Sequence, residues 1–166
     1  MEAILNRRSI RKYTDKPVTE EDIRCLLQAA MSAPSAGNQQ PWHFVIIRDR
    51  SILLKITEVH PYSQMLAQAQ AAILVCGDES LEKHKGYWVQ DCSASTENIL
   101  IAAQEKGLGT VWLGVHPNEE RKAGIKKILG IPDNITPFSI VSIGYPAEKK
   151  EPSNRYNEER IHYDVW

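Results

Sequence analysis

Tyr87-Trp88-Val89-Gln90-Asp91-Cys92-Ser93-Ala94-Ser95-Thr96-Glu97-Asn98-Ile99-Leu100-Ile101-Ala102-Ala103-Gln104-Glu105-Lys106, followed at once by Gly107-Leu108-Gly109, is the stretch on which the fold turns. It reads as the longest helix of the chain, with Gly107 as its C′ stop. Val89, Cys92, Ile99, Leu100, Ile101, Ala102 and Ala103 put apolar surface on more than one side of it. Such a helix must be covered nearly all round. A central helix shared across a dimer interface and a simple core helix both fit that requirement. The glycines that follow are equally telling. Gly107-Leu108-Gly109 comes after a helix, so it fails the strand-to-helix context of a dinucleotide-binding fingerprint.

Outward from this helix, strand and helix signals alternate. Gly109-Thr110-Val111-Trp112-Leu113-Gly114 reads as a strand, Asn118 as the cap of a helix running to Leu129 and stopped by Gly130, and Phe138 to Tyr145 as the last strand. Upstream, Ala72-Ile73-Leu74-Val75-Cys76 is an apolar run of buried-strand length, and His43-Phe44-Val45-Ile46-Ile47 is another strand. Helices are predicted over Ser51 to Val59 and around Ser63 to Gln70. Thr19 caps a helix in which Ile23, Leu26, Leu27, Ala30 and Met31 share one face, with Val18 stapling onto Ile23; Pro34 ends it. Ala3 to Arg8 reads as a short helix, and the segment from Pro146 to Trp166 as a polar tail with an aromatic pair, Tyr163 and Trp166.

With 166 residues, one domain spanning 1–166 is expected, and the 42% hydrophobic and 25% charged shares are those of a globular chain. A net charge of -1 gives no electrostatic support for nucleic-acid binding. No apolar run reaches membrane-span length, and the N-terminus lacks a signal-peptide core. Cys25, Cys76 and Cys92 are scattered, which points to reduced thiols of a cytoplasmic protein rather than a disulfide framework or cluster. The five histidines have no metal-ligand spacing, so no metal is expected. Nucleotide-loop, nucleophile-elbow and zincin motifs are absent.

Two segments carry chemistry. Arg7-Arg8-Ser9-Ile10-Arg11-Lys12-Tyr13 packs four cations near the N-terminus. If extended, it points Arg7, Ser9 and Arg11 to one side, a tray of guanidinium forks and a hydroxyl suited to a phosphate monoester. A solvated basic turn is the plain alternative. Pro34-Ser35-Ala36-Gly37-Asn38-Gln39-Gln40-Pro41-Trp42 is a loop of small and amide-bearing residues able to hydrogen-bond a heteroaromatic edge, or merely its own backbone.

Taken together and in order, these segments resemble the nitroreductase-like family of FMN-dependent NAD(P)H oxidoreductases. The resemblance rests on Arg7-Arg8-Ser9-Ile10-Arg11, on Ser32 to Phe44, on Gly107 to Gly114 and on Phe138 to Pro146. It implies an α+β fold, a central mostly antiparallel sheet flanked by helices, in a homodimer whose C-terminal tails wrap the partner. It also implies two FMN at the interface, with NADH or NADPH as donor. By the same resemblance Arg7, Arg8, Ser9 and Arg11 hold the FMN phosphate and ribityl chain, and Arg11 reaches towards the ring. Arg155 is the implied tail contact to phosphate. Pro34, Ser35, Ala36 and Asn38 are implied to reach the flavin from the other subunit. Trp112, Leu113 and Gly114 are implied to lie under the ring, with the Leu113 amide facing flavin N5. No side chain is nominated as a catalytic acid or base. The region between His60 and Tyr87 is short, and Tyr62 to Met65 do not match the family's ring contacts, so the acceptor (nitroaromatic, quinone or flavin) stays open. A reductive dehalogenase, a flavin-cleaving enzyme, a non-catalytic FMN-binding redox sensor and a cofactor-free dimeric protein are the alternatives.

Overall fold

The computed structural model describes residues 1–166. Four strands, β1 (Trp42–Ile47), β2 (Ala71–Asp78), β3 (Gly109–Gly114) and β4 (Ile135–Gly144), form one sheet in the order β1-β2-β4-β3. Every neighbouring pair is antiparallel. The predicted α+β class, an antiparallel sheet flanked by helices, is what the chain adopts. Alternation along β2 sorts the core into two layers. Ala71, Ile73 and Val75 face α2 (Glu20–Met31) and α4 (Trp88–Glu105). Ala72, Leu74 and Cys76 face α3 (Arg50–Val59) and α5 (Glu119–Leu129). All eight residues of β2 are buried, as a strand covered on both faces must be. Cys76 lies deep in the second layer, where burial pushes its thiol up to about 12.

The helix boundaries follow the local chemistry. Thr19 caps α2 in a reciprocal box: its hydroxyl accepts from the Asp22 N–H at 3.0 Å, and the Asp22 carboxylate accepts from the Thr19 N–H at 3.1 Å. Met31 leaves the expected apolar face and stands exposed. Asp49 caps α3, Asn118 caps α5, and Gly130 ends α5 with φ +63°. From Asp91 to Gln104 no residue of α4 is fully exposed, although one face is covered only in part.

Three expectations need correction. The helix expected around 63–70 is a single 3-10 turn, Gln64–Ala67, because the Ser63 hydroxyl bonds the His60 carbonyl at 2.7 Å and closes a turn instead. The first helix, α1 (Glu2–Asn6), stops before Arg8, with Arg7 as its extended C-cap. The last strand starts at Ile135, three residues before the expected Phe138. Pro137 is tolerated there because β3 pairs with β4 only from Ser139 onward and β2 carries a register shift between Val75 and Cys76.

The segment after α1 runs along the free side of β3. Ser9 bridges Thr110, and the Ile10 N–H donates to the Thr110 carbonyl at 2.9 Å. Tyr13 then bridges Pro146 beyond the end of β4. Two glycines permit this close crossing. A Cβ on Gly109 would lie 2.7 Å from the Ile10 side chain, and one on Gly144 would lie 2.8 Å from the Tyr13 ring. The buried Tyr13 hydroxyl donates to the Ile10 carbonyl at 2.8 Å and accepts from Ser142 at 2.9 Å, which pins the basic segment to the sheet.

Candidate functional site

The pinned segment separates two clefts. The first, about 480 Å³, lies between Arg8, Gln104, Gly107 and the residues from Pro146 to Pro152. Its cations are already engaged. Arg8 donates to the Glu151 carbonyl at 2.8 Å and the Leu5 carbonyl at 3.0 Å. Lys150 donates to the Ser9 carbonyl at 2.6 Å and pairs with Glu148 at 3.3 Å. The cations of this cleft are thus tied to groups of its own walls, Arg8 to carbonyl oxygens and Lys150 to a carbonyl and a carboxylate.

The second cleft, about 440 Å³, is built differently. Trp112, Leu113 and Gly114 from the end of β3 form one wall, and Arg11 closes one side. His60, Pro61, Tyr62 and Met65 come from the turn after α3, and Arg121 from the first turn of α5. Neither the Arg11 nor the Arg121 guanidinium has a carboxylate within 4.0 Å, although the Arg11 backbone N–H donates to Glu148 Oε1 at 2.6 Å. Two unneutralised guanidinium groups beside aromatic and apolar walls suit a planar, electron-rich or anionic ligand.

The backbone adds directional groups. Residues two apart on a strand turn their N–H and C=O the same way. The Thr110 carbonyl faces outward to Ile10, so Trp112 and Gly114 also turn outward. The Gly114 carbonyl confirms this, accepting from His60 Nε2 at 2.9 Å and from Arg121 Nη1 at 3.1 Å. Leu113 therefore points its amide inward, to β4, opposite Ile140. This corrects the expectation that the Leu113 N–H faces the cleft; the outward donors are on Trp112 and Gly114.

His60 is 1% exposed, and burial holds its imidazole below the ordinary histidine value, with the Arg121 charge adding to the effect. A neutral ring that donates through Nε2 leaves Nδ1 as the acceptor, and that buried atom has no partner.

The other sequence-predicted residues lie outside this cleft. Arg7 turns its Nε to Glu97 on α4 at 3.5 Å, so Arg7, Ser9 and Arg11 do not stand as one tray. The α1 C-cap sets the direction of Arg7 before the extended segment begins. The Pro34–Asn38 loop is held at the N-terminal end of α4. Asp91 accepts from the Ala36 N–H at 2.9 Å and from Gln39 Nε2 at 2.6 Å. Gln39 Oε1 accepts in turn from the N–H groups of Lys83 at 2.8 Å and His84 at 3.1 Å. Pro34, Ser35, Ala36 and Asn38 line neither cleft, and neither does Arg155 in the exposed tail.

Tyr62 and Arg121 were not expected. Their signals are faint: an aromatic in a proline turn, and an arginine at the third helical position after Asn118, where the helix dipole favours acids.

The "Nitroreductase family" model matches residues 4–60 and 57–145. An Archaeoglobus fulgidus protein provisionally named NADH dehydrogenase/NAD(P)H nitroreductase is 53% identical over all of this chain and 98% of its own length. A crystal structure from Parabacteroides distasonis with the same provisional name superposes with TM-score 0.95 at 43% identity, covering 99% of this chain and 97% of that one. A provisionally assigned nitroreductase from Desulfovibrio desulfuricans, solved in complex with FMN, gives TM-score 0.86 at 30% identity, covering 99% of this chain and 96% of that one. Alike in sequence along both matched spans and in fold along almost its whole length, the chain belongs to the nitroreductase family.

Proposed function

We propose that this chain transfers a hydride equivalent from NADH or NADPH, by way of FMN, to a small electrophilic acceptor, with donor and acceptor visiting one cleft in turn. The coarser part, an NAD(P)H-dependent oxidoreductase working with FMN, rests on the family and on the named relatives. The observation that carries the rest is the second cleft, where the Arg11 guanidinium has no carboxylate partner and stands beside the outward backbone of Trp112 and Gly114. That donor set fits FMN: a guanidinium for the electron-rich ring edge, an outward Gly114 N–H for a ring nitrogen, and Trp112 and Met65 as apolar walls. Bound FMN would supply the two-electron couple that links nicotinamide to acceptor.

The chain's own residues bind and orient. Arg7, Arg8 and Ser9 are the proposed phosphate and ribityl contacts on the strength of the family resemblance, which requires Arg7 to leave Glu97 and Arg8 to leave the Glu151 and Leu5 carbonyls when FMN binds. Pro34, Ser35, Ala36, Asn38 and Arg155 lie outside the clefts of their own chain, which supports a homodimer in which each copy completes the other's site. The half-covered face of α4 and the exposed Ile4, Leu5 and Met31 give that second copy an apolar surface to cover. The acceptor gains two electrons and two protons, one carried as hydride from NAD(P)H and one drawn from solvent. No side chain is required as the acid. No helix is long and apolar enough to cross a membrane.

The test is an absorbance spectrum of the purified protein, followed anaerobically by NADH and then NADPH. Flavin bands that bleach on addition support the reading and name the donor. A protein that neither carries nor takes up FMN refutes it.

A further inference from the structure

Arg121 has no role in the cofactor contacts above, yet it is held with care. We propose that Arg121, seated by the Gly114 carbonyl and stacked against Tyr62, is a specificity determinant that selects planar aromatic acceptors carrying a carboxylate or comparable anionic group. The proposal rests on the second cleft being the reaction site, as argued above.

Four observations carry it. The guanidinium carbon lies 5.4 Å from the Tyr62 ring centroid, within cation–aromatic range. Its Nη1 is fixed on Gly114 at 3.1 Å, which leaves the rest of the fork free to receive a second partner. Nothing on the chain neutralises it: Glu119, two residues earlier, is taken by Lys122 at 2.7 Å, and no other carboxylate reaches Arg121. Its position in the first turn of α5, capped by Asn118, adds the helix's positive end to the same locality. A cation placed against the dipole, with Arg11 across the cleft, makes a positive field that an anionic ligand relieves.

Tyr62 supplies the planar complement. It is 69% exposed, and its ring sits edge-on to His60 at 6.4 Å, so it stands in the cleft mouth as a surface for stacking. A neutral aromatic would use Tyr62 alone; an aromatic carboxylate would use Tyr62 and the Arg121 fork together.

The test is equilibrium binding by calorimetry of 2-naphthoate and of neutral, isosteric 2-naphthamide to the flavin-loaded protein, in the parent, Arg121→Gln and Arg121→Lys. The parent is expected to bind the carboxylate at least tenfold tighter than the amide, with the preference shrinking as salt rises. Arg121→Gln should abolish that preference and Arg121→Lys keep part of it. Equal binding of the two ligands by the parent, binding of neither, or a preference that survives Arg121→Gln would overturn the proposal. Failure to hold FMN would sink the oxidoreductase reading instead.

Discussion

Exchanging Asp91 for Asn tests whether the loop before β1 is held by a carboxylate rather than by its own backbone. Asp91 is 4% exposed and Gln39 6%, so water cannot replace what the carboxylate supplies. In the native arrangement one oxygen accepts from the Ala36 N–H and the other from Gln39 Nε2. An Asn keeps one acceptor and turns the other into a donor. If its oxygen stays on Ala36, its amide faces the Gln39 amide. If Gln39 then flips, its own amide faces the Lys83 and His84 N–H groups, which now bond its oxygen. Every orientation opposes two donors. The expected cost is that of one hydrogen bond to a charged acceptor, about 1.5–3 kcal/mol. For a chain of this size that lowers Tm by roughly 3–12 °C, at about 2–4 °C per kcal/mol. Asp91→Ala, which orphans both donors, should lie at or beyond the upper end. Differential scanning fluorimetry on parent and variants reads this directly, with FMN retention as a second readout because Ser35, Ala36 and Asn38 ride on the same loop. An Asp91→Asn protein melting within about 1 °C of the parent would refute the reasoning.

Three further outcomes follow from the geometry. Arg11→Ala should weaken FMN binding by about 1.5–3 kcal/mol, roughly 10- to 150-fold in Kd, measured by flavin fluorescence titration; an unchanged Kd would remove Arg11 from the site. Gly144→Ala should cost about 1–3 kcal/mol in urea unfolding, because its Cβ meets the Tyr13 ring at 2.8 Å, and it should loosen FMN by shifting the segment that carries Arg11; an unaltered midpoint would show that the crossing is not tight. Burial holds His60 and His116 below the ordinary histidine value. The unfolded chain therefore takes up protons that the folded chain refuses, so stability is intact above about pH 6.5 and falls as the pH drops below it. Tm measured from pH 7.5 to 5.0 should decline less in His60→Gln than in the parent, and parallel curves would contradict the assignment.

The elements that the sequence announced are those whose ends are written in local chemistry. Thr19, Asn118, Gly107 and Gly130 each mark a helix end by a cap or a positive φ, and each stands where its type predicts. The four strands were legible because each is a short run with its own apolar pattern, although Pro137 hid the start of β4: its cost depends on a neighbour that ends two residues away in register. The site was legible only in part. Arg11 and the end of β3 could be named from the resemblance, but which amide of β3 faces outward depends on pairing parity, which no local pattern encodes. The basic tray failed for a related reason. Alternation is a property of extended backbone, and Arg7 still belongs to a helix cap. Tyr62 and Arg121 meet across the cleft from elements far apart in sequence, so only the closed fold brings them together.

β2 carries a consequence for how the chain is made. Its eight residues, Ala71–Asp78, are wholly enclosed in the finished protein and contain no charge before Asp78. β1 precedes it and can pair early, whereas β4, which seals its other edge, begins only at Ile135. During synthesis the most apolar strand thus waits with one edge open until the last strand arrives. An uncharged β-prone run with an unpaired edge is the usual seed of intermolecular association. Production yield should therefore depend on temperature and on nascent-chain concentration more steeply than the stability of the folded protein would suggest, because the vulnerable interval ends only with β4, after every helix that covers the strand has been made.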